Sequence, residues 1–295
     1  MPDVTGLELP ASLIDSVNRD RNPERRAWLA ALPGILGRLA RQWGLRLETP
    51  FQPGGDCSWV GPVRAMDGRQ LVLKAGWLHA EAMHEADALR CWDHRGAVAV
   101  YAEDVFDDTI ALLLERCMPG TPLRQVPEPE QDAIVCTLLR RLWRAPPAGH
   151  AFPSLQAMCD RWADRFDQQA SRAAQRLDPG IARAGMELFR TLPATAGEHV
   201  LLVTDLHAGN ILAAQRDPWL AIDPKPHVGD PSYDPLQHML NCAGRLCTDP
   251  VRFAQRLAGL LELDASRLLL WLFARCVQES PGNPDLARVA ALLAP

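Results

Sequence analysis

Apolar residues recur at helical spacing through residues 23–44, interrupted by the Pro33-Gly34 pair, so the chain predicts two short helices or one kinked helix there. The rhythm then shortens. Strand-like runs follow at residues 45–51, 58–64 and 70–75, the last two separated by a turn at Asp67-Gly68. A helical stretch at 79–95 comes next, then strand-like runs at 97–106 and 109–117 on either side of Asp107-Asp108. Three strands, a helix and two strands predict a small antiparallel sheet with one helix lying against it. Residues 115–123 are irregular and rich in Pro and Gly, which marks a hinge. Beyond them helical patterns dominate, at 129–144, 154–177 and 178–192, then near 233–246, 250–261, 265–278 and 285–293, with one β-rich stretch at 203–230 in between. The expectation is an α+β protein of two lobes: a sheet-rich lobe over residues 1–118 and a mostly helical lobe over 119–295.

The β-rich stretch carries the chemistry. It places Asp205, then Asn210 five residues on, then Asp223 thirteen residues further. Between them lie two apolar runs, at 211–213 and 219–222, joined by a polar turn at 215–218. Two short strands joined as a hairpin would bring Asn210 and Asp223 together with Asp205 facing them. Phosphoryl transfer from a nucleotide uses such a set, a carboxylate to orient a hydroxyl nucleophile and an Asn and an Asp to hold Mg²⁺.

Lysine usage points the same way. The chain has two lysines, Lys74 and Lys225, against twenty-nine arginines. Lys74 ends the apolar run at 70–74, where a flexible ammonium suits contact with nucleotide phosphates better than a planar fork. Glu85, eleven residues later on the expected helix, is its candidate partner. Between the first two strands, the Gly54-Gly55 pair permits close backbone approach to phosphates and Ser58 could donate to them, although an ordinary hairpin turn also fits this segment. His84-Glu85 opens like a zinc-hydrolase helix, but position 88 is Ala and the second histidine is missing. Of the nine tryptophans, Trp28, Trp43, Trp162 and Trp271 fall at core positions, and Trp59 lies at the expected nucleotide loop.

Composition sets the bounds. At 295 residues and 47 % hydrophobic content the chain can bury a large core and is not wholly disordered. The net charge of −5 divides as about −4 before residue 119 and −1 after it, so neither half is a basic surface for nucleic acid. The N-terminal segment lacks the apolar core of an export signal, and the longest apolar runs are too short to span a bilayer. Eight cysteines without any CxxC spacing read as free thiols in a reducing cytoplasm.

With these residues in place, the sequence resembles the aminoglycoside phosphotransferases, a branch of the protein-kinase-like fold. The loop VTDLHAGN is similar to the family's HGDLHxxN, and AIDPKP and GDPSYD are similar to its I-D-x and G-D-P-x-x-D runs. ERRAWLAALP, LLLERCMPGTPL and PWLAIDPKPHVGDP resemble the streptomycin 6-phosphotransferase and hydroxyurea phosphotransferase group. The resemblance implies a bilobal protein-kinase-like fold, with Asp205 as the catalytic carboxylate and Asn210 and Asp223 as Mg²⁺ ligands. Lys74 would meet the nucleotide phosphates, Glu85 would hold Lys74, and the hinge backbone from Glu115 to Met118 would meet the adenine edge. Asp230 and Asp234 are implied to be structural. Lys225 either offsets charge near the phosphates or packs at the surface. Val203 replaces the family's first histidine, which implies apolar packing under the loop. The implied activity is transfer of a phosphoryl group from ATP, with GTP open, to a hydroxyl of a cationic aminoglycoside, streptomycin first. The alternatives are the same chemistry on hydroxyurea or another small hydroxylated compound, and a nucleotide-binding pseudokinase. Neither a nucleic-acid nor a membrane partner is expected.

Overall fold

The computed structural model describes residues 8–20, 22–170 and 177–294, with side chains given outside 169–176. The chain divides into two compact units, Met1–His94 with Val98–Gly120, and Arg95–Ala97 with Thr121–Pro295.

The first unit opens with α1 (Ala11–Arg19), a helix that sequence periodicity did not signal because only Leu13 and Val17 are buried on its length. α2 (Pro23–Gln42) settles the ambiguity at Pro33: it is one helix. Asn22 caps it by accepting the Glu24 N–H at 2.9 Å, and Pro23 supplies a preset first turn. Pro33 removes one backbone bond inside the helix, but Trp28, Leu32, Leu36 and Leu39 form a buried stripe across it that packs both halves on one core.

That core is one face of a five-stranded antiparallel sheet, ordered β1-β2-β3-β5-β4, with β1 (Leu45–Leu47), β2 (Ser58–Ala65), β3 (Gln70–Trp77), β4 (Val100–Phe106) and β5 (Thr109–Glu115). On β3, Leu71, Leu73 and Ala75 bury into the cluster beneath α2. Alternation therefore turns Lys74, which pairs with Val60 on one side and Leu112 on the other, to the opposite face. Trp59 is a correction to the sequence reading: it is fully buried in the core, with its indole N–H donated to the Glu8 carbonyl at 3.2 Å, and it does not line a loop.

The helix expected over 79–95 is α3 (Glu85–Trp92), shorter at both ends. Asp93 and His94 adopt left-handed backbone with φ of 46° and 63°, which stops it, and residues 80–84 form turns. β1 and β4 also start or stop inside their expected spans. Ala97, expected in β4, belongs to the second unit and bridges Ala221.

The second unit contains α4 (Glu128–Leu142), α5 (Leu155–Ala170) and α6 (Pro179–Thr191), followed by the β-rich stretch and a C-terminal helical set. The part of the expected helix that covers residues 171–176 lies outside the described residues. The β-rich stretch holds two small antiparallel pairs, β6 (Val200–Leu202) with β9 (His227–Gly229), and β7 (Ile211–Ala213) with β8 (Trp219–Ala221). The first pair was not expected, because its two strands are three residues each and lie 25 positions apart. The helix expected near 233–246 breaks at Cys242 into α7 (Leu236–Asn241) and α8 (Ala243–Thr248). α9 (Pro250–Leu261), α10 (Ala265–Glu279) and α11 (Pro284–Leu293) complete the chain. α10 is buried along most of its length and packs on α6 at Gly185, where an added Cβ would lie 2.5 Å from Val277. No helix of the described residues is long and apolar enough to cross a membrane.

Candidate functional site

The loop that follows β6 is pinned from below by one buried carboxylate. Asp234 Oδ2 accepts the Val203 N–H at 3.1 Å and the Trp143 indole N–H at 2.9 Å, and Oδ1 accepts the Thr204 N–H at 2.7 Å. Thr204 has φ of 53°, a left-handed conformation that a β-branched residue adopts only when its surroundings impose it. The Asp234 clamp is one such constraint. The other is the segment after β8: Lys225 donates its N–H to the Val203 carbonyl at 3.0 Å, and the Thr204 hydroxyl donates to the Lys225 carbonyl. Val203 itself is fully buried, the apolar support that the sequence implied. Burial raises the Asp234 carboxyl to about 6 despite the bonds from Trp143, Val203 and Thr204, which favour the charged form.

The hairpin then assembles the three polar residues. β7 and β8 pair with Ile211 opposite Ala221, and the next rung is the Ile222 N–H donated to the Asn210 carbonyl at 2.9 Å. Asp223 follows immediately, turned by φ of 52°. The Asn210 side chain donates Nδ2–H to the Asp205 carbonyl at 3.1 Å, with Asp205 Oδ2 at 3.5 Å. Because the amide nitrogen faces Asp205, the Asn210 carbonyl oxygen is presented as a donor atom on its other side. His207 shapes the loop between them. Its Nδ1 accepts the Gly209 N–H at 3.1 Å, and burial pushes its pKa down, so the ring is neutral near neutral pH. Gly209 leaves room for the His207 ring, which an added Cβ, 2.7 Å away, would displace.

Among the described residues no cluster of three or more His, Cys, Asp or Glu side chains could hold a metal by itself. Asn210 and Asp223 provide one neutral and one anionic oxygen. This pair fits Mg²⁺, which keeps waters and takes phosphate oxygens as its remaining ligands.

In the first unit, Lys74 Nζ lies 2.5 Å from Glu85 Oε2, with the carboxylate buried and the lysine side chain 15 % exposed. Ser58 opens β2 and is buried, its side chain lying against Gly55 and Gly76. Glu115 ends β5 with both its N–H and its carboxylate tied to the Ala99 backbone, at 2.8 and 3.0 Å. Met118 lies three residues further on, before Pro119.

This arrangement has counterparts among known proteins. The family model described as aminoglycoside/hydroxyurea antibiotic resistance kinase matches residues 44–283. The chain belongs to this family. A hydroxyurea phosphotransferase of Kitasatospora aureofaciens is 34 % identical over 279 residues, 92 % of this chain and 79 % of the relative. A streptomycin 6-kinase of Streptomyces griseus is 31 % identical over 284 residues, 93 % of this chain and 90 % of the relative. The choline kinase LicA of Streptococcus pneumoniae shares the fold, with a TM-score of 0.59 at 11 % identity over 88 % of this chain and 97 % of that one. The fold is therefore kinase-like, and the chain is a phosphotransferase with a hydroxyl group as acceptor.

The loop of this kinase holds one feature that sequence reading left open. Lys225 Nζ lies 2.5 Å from Asp205 Oδ2, so it does not simply pack at the surface. Its signal in the sequence was its rarity. Both lysines of an arginine-rich chain end on a carboxylate, Lys74 on Glu85 and Lys225 on Asp205.

Proposed function

We propose that this kinase transfers the γ-phosphoryl group of ATP to the 6-hydroxyl of streptomycin, in the cytoplasm, and so confers resistance to the antibiotic. What supports the reading is the placement of Asp205, Asn210 and Asp223 on one loop and one hairpin, in a family of antibiotic kinases. In this reading Asp205 orients the acceptor hydroxyl and takes its proton. Asn210 and Asp223 hold Mg²⁺, and Lys74, steadied by Glu85, contacts the nucleotide phosphates. When bound, the ion supplies positive charge against the phosphate oxygens. The eight cysteines form no disulfide among the described residues, which suits a reducing compartment.

Hydroxyurea is the second reading, supported by the 34 % identity to a hydroxyurea phosphotransferase. The two acceptors differ in charge and size, so acceptor-dependent ATP consumption with each separates them. Asp205→Ala is expected to abolish transfer while nucleotide affinity stays within about threefold of wild type. Wild-type turnover in that variant overturns the role of Asp205. Asp223→Asn is expected to remove the metal dependence of nucleotide binding in calorimetric titrations. Unchanged metal-dependent affinity overturns its role.

A further inference from the structure

Asp205 makes its side-chain contacts through one oxygen. Lys225 Nζ lies 2.5 Å from Oδ2, and the Asn210 amide nitrogen approaches the same atom at 3.5 Å. Oδ1 has no hydrogen-bond partner among the described residues, and the side chain is 16 % exposed. Lys225 is itself held at both ends of its peptide unit: its N–H is on Val203, and its carbonyl accepts from the Thr204 hydroxyl and faces His227 Nδ1 at 3.0 Å. The ammonium is therefore delivered to Asp205 from a backbone already locked to the strained loop.

We propose that Lys225 is the positioning residue of the phosphoryl transfer, occupying Oδ2 of Asp205 so that Oδ1 alone is presented to the acceptor hydroxyl. This rests on the functional reading above. In the transfer, the acceptor O–H bond breaks and its proton passes to Oδ1. The acceptor oxygen forms a bond to the γ-phosphorus, and the bond to the β,γ-bridging oxygen breaks, its electron pair leaving on the nucleoside diphosphate. Lys225 keeps its protons throughout. In a loose phosphoryl-transfer transition state, alignment of the nucleophile matters more than its deprotonation. The choice of lysine follows: a point charge fits one carboxylate oxygen, whereas the arginine fork favours both and would cover Oδ1.

The test is a double-mutant cycle on the full chain with ATP, Mg²⁺ and the accepted substrate, using Lys225→Met, Lys225→Arg and Asp205→Asn. Lys225→Met should lower kcat about 10²-fold, leave the ATP KM within about threefold and leave the melting temperature near wild type. Lys225→Arg, which keeps the charge and misplaces it, should fold normally and recover only part of that loss. In the Asp205→Asn background, the Lys225→Met substitution should cost almost nothing, because the two residues act as one unit. Lys225→Met retaining more than about a third of kcat, or fully additive losses in the cycle, overturns the proposal alone. If the wild-type chain shows no acceptor-dependent ATP consumption, the functional reading fails first and takes this inference with it.

Discussion

Removing the carboxylate of Asp132 should cost this protein more stability than any change at its surface. Asp132 is fully buried on α4. Its Oδ1 accepts from His238 Nε2 at 3.0 Å and from Arg245 at 2.9 Å; its Oδ2 accepts from Arg245 at 2.8 Å and from Arg256 at 2.7 Å. One side chain thus draws α7, α8 and α9 onto α4. Burial alone would raise its pKa, but the bonds from His238, Arg245 and Arg256 outweigh that and hold the carboxyl well below the usual range. In Asp132→Ala the fully buried His238 keeps an unpaired ring N–H, costing about 1–3 kcal/mol. The Arg245 and Arg256 side chains are 28 and 45 % exposed and can turn to water, so each adds at most about 1 kcal/mol. The sum is about 1–5 kcal/mol, overlapping the range for breaking a buried ion pair. At roughly 2–4 °C per kcal/mol for a chain of this size, the melting temperature should fall by about 10 °C. Asp132→Asn, which keeps one acceptor oxygen, should lose about half as much. Thermal unfolding followed by circular dichroism at neutral pH reads both. A shift of less than about 2 °C for the Ala variant would refute the assignment of this network as a helix anchor.

Three further outcomes are expected. The Asp234 carboxyl titrates near 6 in the folded chain and near its ordinary 3.8 when unfolded, so the folded state holds an extra proton between those values. This group's contribution is fully present below pH 4 and lost as pH rises through 6, on the order of 3 kcal/mol. The stability difference between wild type and Asp234→Asn, measured by urea unfolding at pH 4.5 and 7.5 (each about a unit and a half from the folded value), should move in favour of wild type at the lower pH, and a pH-independent difference contradicts it. Gly209→Ala should push the His207 ring aside and lower kcat about 10- to 100-fold with little change in melting temperature; unchanged kcat would show that the loop tolerates the Cβ. Glu85→Gln should raise the ATP KM about tenfold by loosening Lys74, and an unchanged KM would count against that ion pair as a nucleotide contact.

Much of the fold and the candidate site of this kinase could be read from its sequence because the candidate residues are local. Asp205, Asn210 and Asp223 lie within nineteen residues, and a hairpin of two three-residue strands is enough to bring the last two together. Lys74 and Glu85 were legible for the same reason: a strand end and the helix after it meet within eleven residues. What was hidden was long-range. Asp132 meets Arg256 across 124 positions, and nothing in periodicity marks a buried carboxylate on a helix as the hub of three others. The β6–β9 pair was too short to give an alternation signal. Trp59 was misplaced because its neighbours, Gly54 and Gly55, suggested a loop, whereas strand alternation buries it beneath α2.

The most direct measurement is the product itself. The purified chain incubated with streptomycin, ATP and Mg²⁺ should convert the antibiotic to a species heavier by one phosphoryl group, with its new ³¹P resonance coupled to the proton at C6, and Asp205→Ala should yield none. ATP left unconsumed with streptomycin, or a phosphate attached elsewhere on a different acceptor, would contradict the proposed reaction.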